Sequence, residues 1–182
     1  MMKCCKKNNH VMVELIKSEL VYDIKNTAYS FADSNTKEDS SNHELHNVFD
    51  VGENGNRDRL ARILDSSVED CKELLHKFTK NETYMGFETN DWEECIGSPC
   101  NEEEAYYIDL YVPIGFPQTS VHSLSVYIHD YIVYQSLYEW MMIVYPNGAP
   151  QFKELAEAKK KKMKDASCHT SGRTRIRLHP FG

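Results

Sequence analysis

A chain of 182 residues with 41% hydrophobic content is long enough for one domain that buries roughly two-thirds of its unfolded surface without a disulfide or a metal. The formal net charge of -7 is unevenly spread: from Lys159 onward there are eight basic residues and one acid, so that segment is +7 and residues 1–158 are -14. An acidic body of this size argues against general binding of a polyanion, and the basic end marks where a partner is met.

The opening segment, MMKCCKKNNHVMVELIKSEL, is basic but lacks the apolar run of about 7–15 residues that a secretory signal uses. From about residue 11 to residue 31, Val13, Ile16, Leu20, Ile24, Ala28 and Phe31 recur at three- and four-residue steps, which predicts a first helix with one apolar face. The stretch ADSNTKEDSSNHELHNVFDVGENGN is polar and without period, and predicts a long loop. A second helix is predicted near residues 57–79, with Leu60, Ile63, Leu64, Ser67, Val68, Cys71, Leu74, Leu75 and Phe78 along its face. A two-stranded excursion follows, residues 83–88 with residues 104–114. In the second strand Tyr106, Ile108, Leu110 and Val112 share one face, and Pro113 closes it.

The third helix is expected to begin at Thr119 or Ser120 and to run to Tyr145. It is apolar on nearly all sides, which makes it the central helix. His129, Asp130, Gln135 and Glu139 make it a poor membrane span. YPNGAP stops it, and a fourth helix over residues 150–166 carries Phe152, Leu155, Ala156, Lys159 and Met163 on its narrow apolar side. The expected fold is therefore mainly α: a small bundle of about four helices with a β-hairpin outgrowth and an extended, strand-like C-terminal arm. Residues 1–166 form the helical domain, with the hairpin inserted around 82–114, and residues 167–182 form the basic arm.

No constellation in the chain reads as an active site. Cys95 and Cys100 flank IGSP in a turn, but no second ligand pair at zinc spacing accompanies them, and Cys4-Cys5 is too cramped for one. The six cysteines read as reduced thiols in a cytosolic setting. HELH spaces His43 and His46 three apart in a polar loop, where a zinc-protease helix needs four. GENG lacks the strand, lysine and hydroxyl of a phosphate loop. His129 reads as a hydrogen-bonded packing residue, and Cys71 faces the core with its helix. The chain reads as a non-enzyme with no metal and no cofactor.

The basic end carries the functional signal. KKKKMK followed by RTRIRL could hold phosphate, and a nucleic-acid-binding regulatory protein is the alternative reading. A free, solvated tail is a second alternative. Arg173, Arg175 and Arg177 alternate with Thr174, Ile176 and Leu178, and Phe181 follows. That period, with one apolar face, is the form of a strand added to another sheet, and Arg173, Thr174, Arg175, Ile176, Arg177, Leu178 and Phe181 form the expected partner-binding arm.

Taken in order, LVYDIKNTAYSF, NRDRLARILDSSVEDCKELL, IDLYVPIGF, LSVYIHDYIVYQSLYEWM and FKELAEAKKKKMKDA resemble the head–tail connector (adaptor) proteins of tailed bacteriophages, and more particularly structural proteins of phages and prophages of gut Bacteroides-type bacteria. The similarity covers the chain from about Glu19 onward and rests on order and local pattern. It implies a virion protein forming a ring, of twelve copies in the family, below the portal; a ring protein of a crAss-like phage is the most specific form. It also implies assembly in the host cytoplasm, contacts with portal and other neck or tail proteins through the arm, and passage of genomic DNA without sequence-specific binding. In such a ring Tyr106, Ile108, Leu110, Tyr111 and Val112 are candidates for the interface between subunits. RTRIRLHPFG and the CIGSPC loop are less typical of the family.

Overall fold

The computed structural model describes residues 8–36, 51, 53–76, 105–113 and 116–167. In chain order these are β1 (Asn8–Ile16), α1 (Lys17–Thr36), a 3-10 turn (Asn54–Asn56), α2 (Arg57–Leu74), β2 (Ala105–Pro113), α3 (Gln118–Val144) and α4 (Ala149–Ser167). Among the described residues the fold is mainly helical, four helices with a small antiparallel sheet of β1 and β2.

Helix α3 sits in the middle and packs against α1, α2 and α4. Its buried residues point in several directions: Leu124, Ile128, Ile132, Val133, Leu137, Trp140 and Met141 are all inaccessible. A helix apolar all round can only be stable when surrounded, and the other elements surround it. It begins at Gln118 rather than at Thr119 or Ser120, because the Pro117 carbonyl accepts from the Ser120 and Val121 amides. It ends in a tight turn in which the Gly148 amide donates to the Tyr145 carbonyl at 3.0 Å, with Pro146 and Asn147 between them. Proline at the second position presets the backbone for that turn. Gly148 lies under the rings of Phe31 and Tyr145, whose nearest atoms would both be 2.7 Å from an added Cβ. Phe31 in turn meets Phe152 edge-on at 5.3 Å, so this one corner joins α1 to α3 and α4.

Helix α4 buries Ala149, Phe152, Ala156, Met163 and Ala166 against α3. Leu155, expected on this face, lies at its margin and is 37% exposed. Helix α2 buries Leu60, Ile63, Leu64, Ser67, Val68 and Cys71, as its spacing requires. Small residues join it to α3: the Ser136 hydroxyl donates to Ser67 Oγ at 3.1 Å, and Ser67 donates to the Ile63 carbonyl at 2.9 Å. Both serines are fully buried, and the relay satisfies both hydroxyls where an unpaired one would cost about 1–3 kcal/mol. The helix closes with the Leu75 amide on the Cys71 and Lys72 carbonyls; the expected extension through Phe78 lies outside the described residues.

One expectation changes at the sheet. Residues 11–16 are strand, not the start of the first helix, and that helix begins at Lys17. Val13, Ile16 and Leu20 satisfy a helical period, but Val11, Val13 and Leu15 satisfy a period of two equally well. Val13 and Leu15 are buried, Met12, Glu14 and Ile16 are exposed, and β-branched Val11 and Val13 suit the strand. A pairing not foreseen in the sequence accompanies it. Strand β2 pairs with β1 in an unbroken antiparallel register from Asn8 opposite Pro113 to Ile16 opposite Ala105. The expected pairing with residues 83–88 falls outside the described residues. So do the HELH and CIGSPC loops and the arm from Cys168 onward.

Candidate functional site

The described molecule offers three surfaces on which function could reside: the outer face of the sheet, the lysine-rich face of α4, and a groove between α2, α3 and α4.

The sheet has two unlike faces. Inward, Val13 lies opposite Ile108 and Val11 opposite Leu110, and Ile108, Leu110 and Val112 are buried in the chain's own core. Their side chains are buried within the subunit, so the expected role at an interface between copies does not match their burial. Tyr106 shares the inward face, and its hydroxyl donates to Asp65 of α2 at 2.5 Å while Lys17 stands 4.5 Å over its ring. Tyr111, half-buried, belongs to the other face with Tyr107 and Asp109. That outward face presents Met12 (57% exposed), Tyr107 (44%) and Ile16 (40%) around two acids, Glu14 and Asp109. The Tyr107 hydroxyl donates to Glu14 at 3.3 Å. Of the five strand residues expected at an interface, Tyr111 alone is on this face. Met12, Ile16 and Tyr107 were missed, and the alternation of Val11, Val13 and Leu15 was the signal that could have found them.

The lysine run is largely engaged within the molecule. Lys159 Nζ reaches Asp130 of α3 at 2.5 Å and lies 5.9 Å over the Tyr134 ring. Lys160 bonds Glu157 at 3.2 Å, and Lys162 stands 5.8 Å over Tyr127. Lys153 does the same over Tyr138 at 5.9 Å. Lysine stems laid along tyrosines, with ammonium groups over the rings, attach α4 to α3 as well as solubilise it.

The groove, about 820 Å³, is lined by Asp70 and Glu73 from α2, Tyr131 and Tyr138 from α3, and Lys160 and Lys164 from α4. Acids on one wall and lysines on the other give it no net preference for one sign of charge. Burial sets the protonation of the titratable groups in and beside it. Burial, and then the negative charge of Asp70, raise the Tyr131 hydroxyl above its ordinary value. Burial also raises Glu139, against the Gln135 amide that donates to it at 3.2 Å. Burial pushes the Cys71 thiol up to about 12, so it is protonated and inert at neutral pH.

His129, read from the sequence as a packing residue, bonds Asp23 of α1 at 2.8 Å and ties the first helix to the third. Among the described residues no three histidines, cysteines or acids come together as a metal site, and no helix is long and apolar enough to cross a membrane. Comparison with protein-family models, with curated proteins and with solved structures returned no match.

Proposed function

We propose that the chain is a structural subunit of a tailed-phage virion: an adaptor that assembles into a ring below the portal, joins capsid vertex to tail and surrounds the path of the DNA. The observation that carries this reading is the outward face of the sheet. Met12, Ile16 and Tyr107 are large apolar residues held in the open by a rigid register, beside acids that limit nonspecific association. Contiguous apolar surface of this kind belongs to interfaces. A ring subunit needs two unlike faces, and the sheet face and the exposed Met142 and Ile143 at the far end of α3 are two apolar surfaces on different elements. The -14 of residues 1–158 suits the wall of a DNA passage, since an attractive wall would hold the polyanion back. In this reading the arm, with Arg173, Arg175 and Arg177, meets portal or neck proteins.

The nucleic-acid alternative is weakened by the partners that Lys159, Lys160 and Lys162 already have. Its affinity would fall steeply with salt. Electron microscopy of particles, with antibody labelling of this chain, tests the adaptor reading. A ring at the vertex is the expected result. A chain found only as a soluble monomer in infected cells and missing from particles would overturn it.

A further inference from the structure

We infer that the groove between α2, α3 and α4 is a binding site for a small zwitterion, a molecule of dipeptide size with a free ammonium, a free carboxylate and an apolar side chain. This does not rest on the virion reading.

The groove is a gap between helices. Helices α2 and α4 each pack on α3, and among the described residues they form no extended contact with each other. The space left over α3, about 820 Å³, is of the size that small-molecule sites have, about 300–1,000 Å³. Leu74 and the Tyr138 ring supply apolar surface within it.

Its charges are sorted by helix and left open. Asp70 and Glu73 stand on α2, and Lys153 and Lys164 on α4. Between those lysines Glu157 and Lys160 pair with each other at 3.2 Å. Among the described residues no cation pairs with the Asp70 or Glu73 carboxylate, and no carboxylate pairs with the Lys153 or Lys164 ammonium. Opposite charges thus share one groove without closing on each other. A simple ion is attracted by one wall and repelled by the other, whereas a molecule carrying both signs is attracted by both.

The floor carries a hydroxyl in want of a partner. Tyr131 is 5% exposed and lines the groove, yet among the described residues its hydroxyl makes no hydrogen bond. The buried hydroxyls of Ser67 and Ser136 nearby both have partners. A buried polar group left over in this way needs a ligand to satisfy it. Burial, and then the charge of Asp70, keep the phenol protonated, so its oxygen can accept as well as donate. Asp70 and Glu157 both place negative charge around it. The ammonium therefore belongs at this point, donating to Tyr131 Oη beside Asp70. The carboxylate meets Lys164 on the opposite wall, and the apolar side chain lies against Leu74 and Tyr138.

Melting of the full chain with leucyl-leucine tests this. The expected result is a melting temperature that rises with dipeptide concentration. The N-acetylated and the C-amidated dipeptide should each need about tenfold more for the same rise, since each loses one charged contact. Tyr131→Phe, which keeps the ring, should melt no lower than the natural sequence without dipeptide and should bind about tenfold more weakly. Lys164→Gln, on the surface, should weaken the free dipeptide and leave the amidated one unchanged. No rise with leucyl-leucine or with phenylalanyl-leucine overturns the inference. Equal binding of the blocked forms shows an apolar cleft and overturns the zwitterion. A Tyr131→Phe chain that melts well below the natural sequence without dipeptide has lost a partner within the subunit, and that too overturns it.

Discussion

Helix α3 and the β1–β2 sheet contribute to the same core by opposite routes. Helix α3 meets its main partner, α4, after a turn over residues 145–148, so their packing is nearly local in the chain. The strands come from far apart: 93 residues separate Glu14 from Tyr107, which face each other across the sheet. Loop closure over that distance must be met before any cross-strand contact is made. The difference teaches where local pattern suffices and where it does not. A helix pair joined by a short turn is specified by its own periodicity, whereas a strand pair is specified only by two segments finding each other.

This contrast can be broken or sharpened by experiment. The largest effect is expected at Trp140, fully buried near the C-terminal end of α3. Trp140→Ala should cost about 3–5 kcal/mol in denaturant unfolding. A loss below about 1 kcal/mol would show that α3 is not the centre of stability. Ile108→Ala, in the sheet, should cost about 2–4 kcal/mol, and by amide exchange should loosen β1 and β2 before α3. Equal loosening of both regions would mean that sheet and bundle open as one unit, and the contrast would fail. Gly148→Ala should cost about 1–3 kcal/mol, because the Phe31 and Tyr145 rings must give way. That cost should shrink in a Phe31→Leu background; an unchanged cost would place the strain elsewhere than in the ring contact.

The smallest effect concerns pH. Burial raises the Glu139 carboxyl above its ordinary 4.5, so folding favours its neutral form. Its contribution is then fully present below the ordinary carboxylate value and is lost as pH rises through the raised one. Glu139→Gln keeps the contact with Gln135 and removes the charge. It should melt slightly higher than the natural sequence at pH 7 and equal to it at pH 3. Melting temperatures across that range decide it, and a lower value at pH 7 would reverse the sign.

The candidate surfaces were legible to different degrees. The lysine run was visible as charge, but its engagement was not: Lys159 is 29 residues from Asp130, and only the packing of α4 on α3 brings them together. The pairing of His129 with Asp23 spans 106 residues and was foreseeable only as a need for some partner. The outer face of the sheet is hidden in the sequence, because residues 11–16 fit a helical period as well as a strand's.

By itself the sequence determined α2, α3 and α4, the turn at Pro146–Gly148 and the inward face of β2. In each case one period dominates, and proline and glycine mark the ends. Only the tertiary structure decided that residues 8–16 form a strand and that β2 takes β1 as its partner. It also decided that Ile108, Leu110 and Val112 are buried in the chain's own core. The physical reason is the same for all three: a short apolar segment fits two periods locally, and the choice between them is made by a partner almost a hundred residues away.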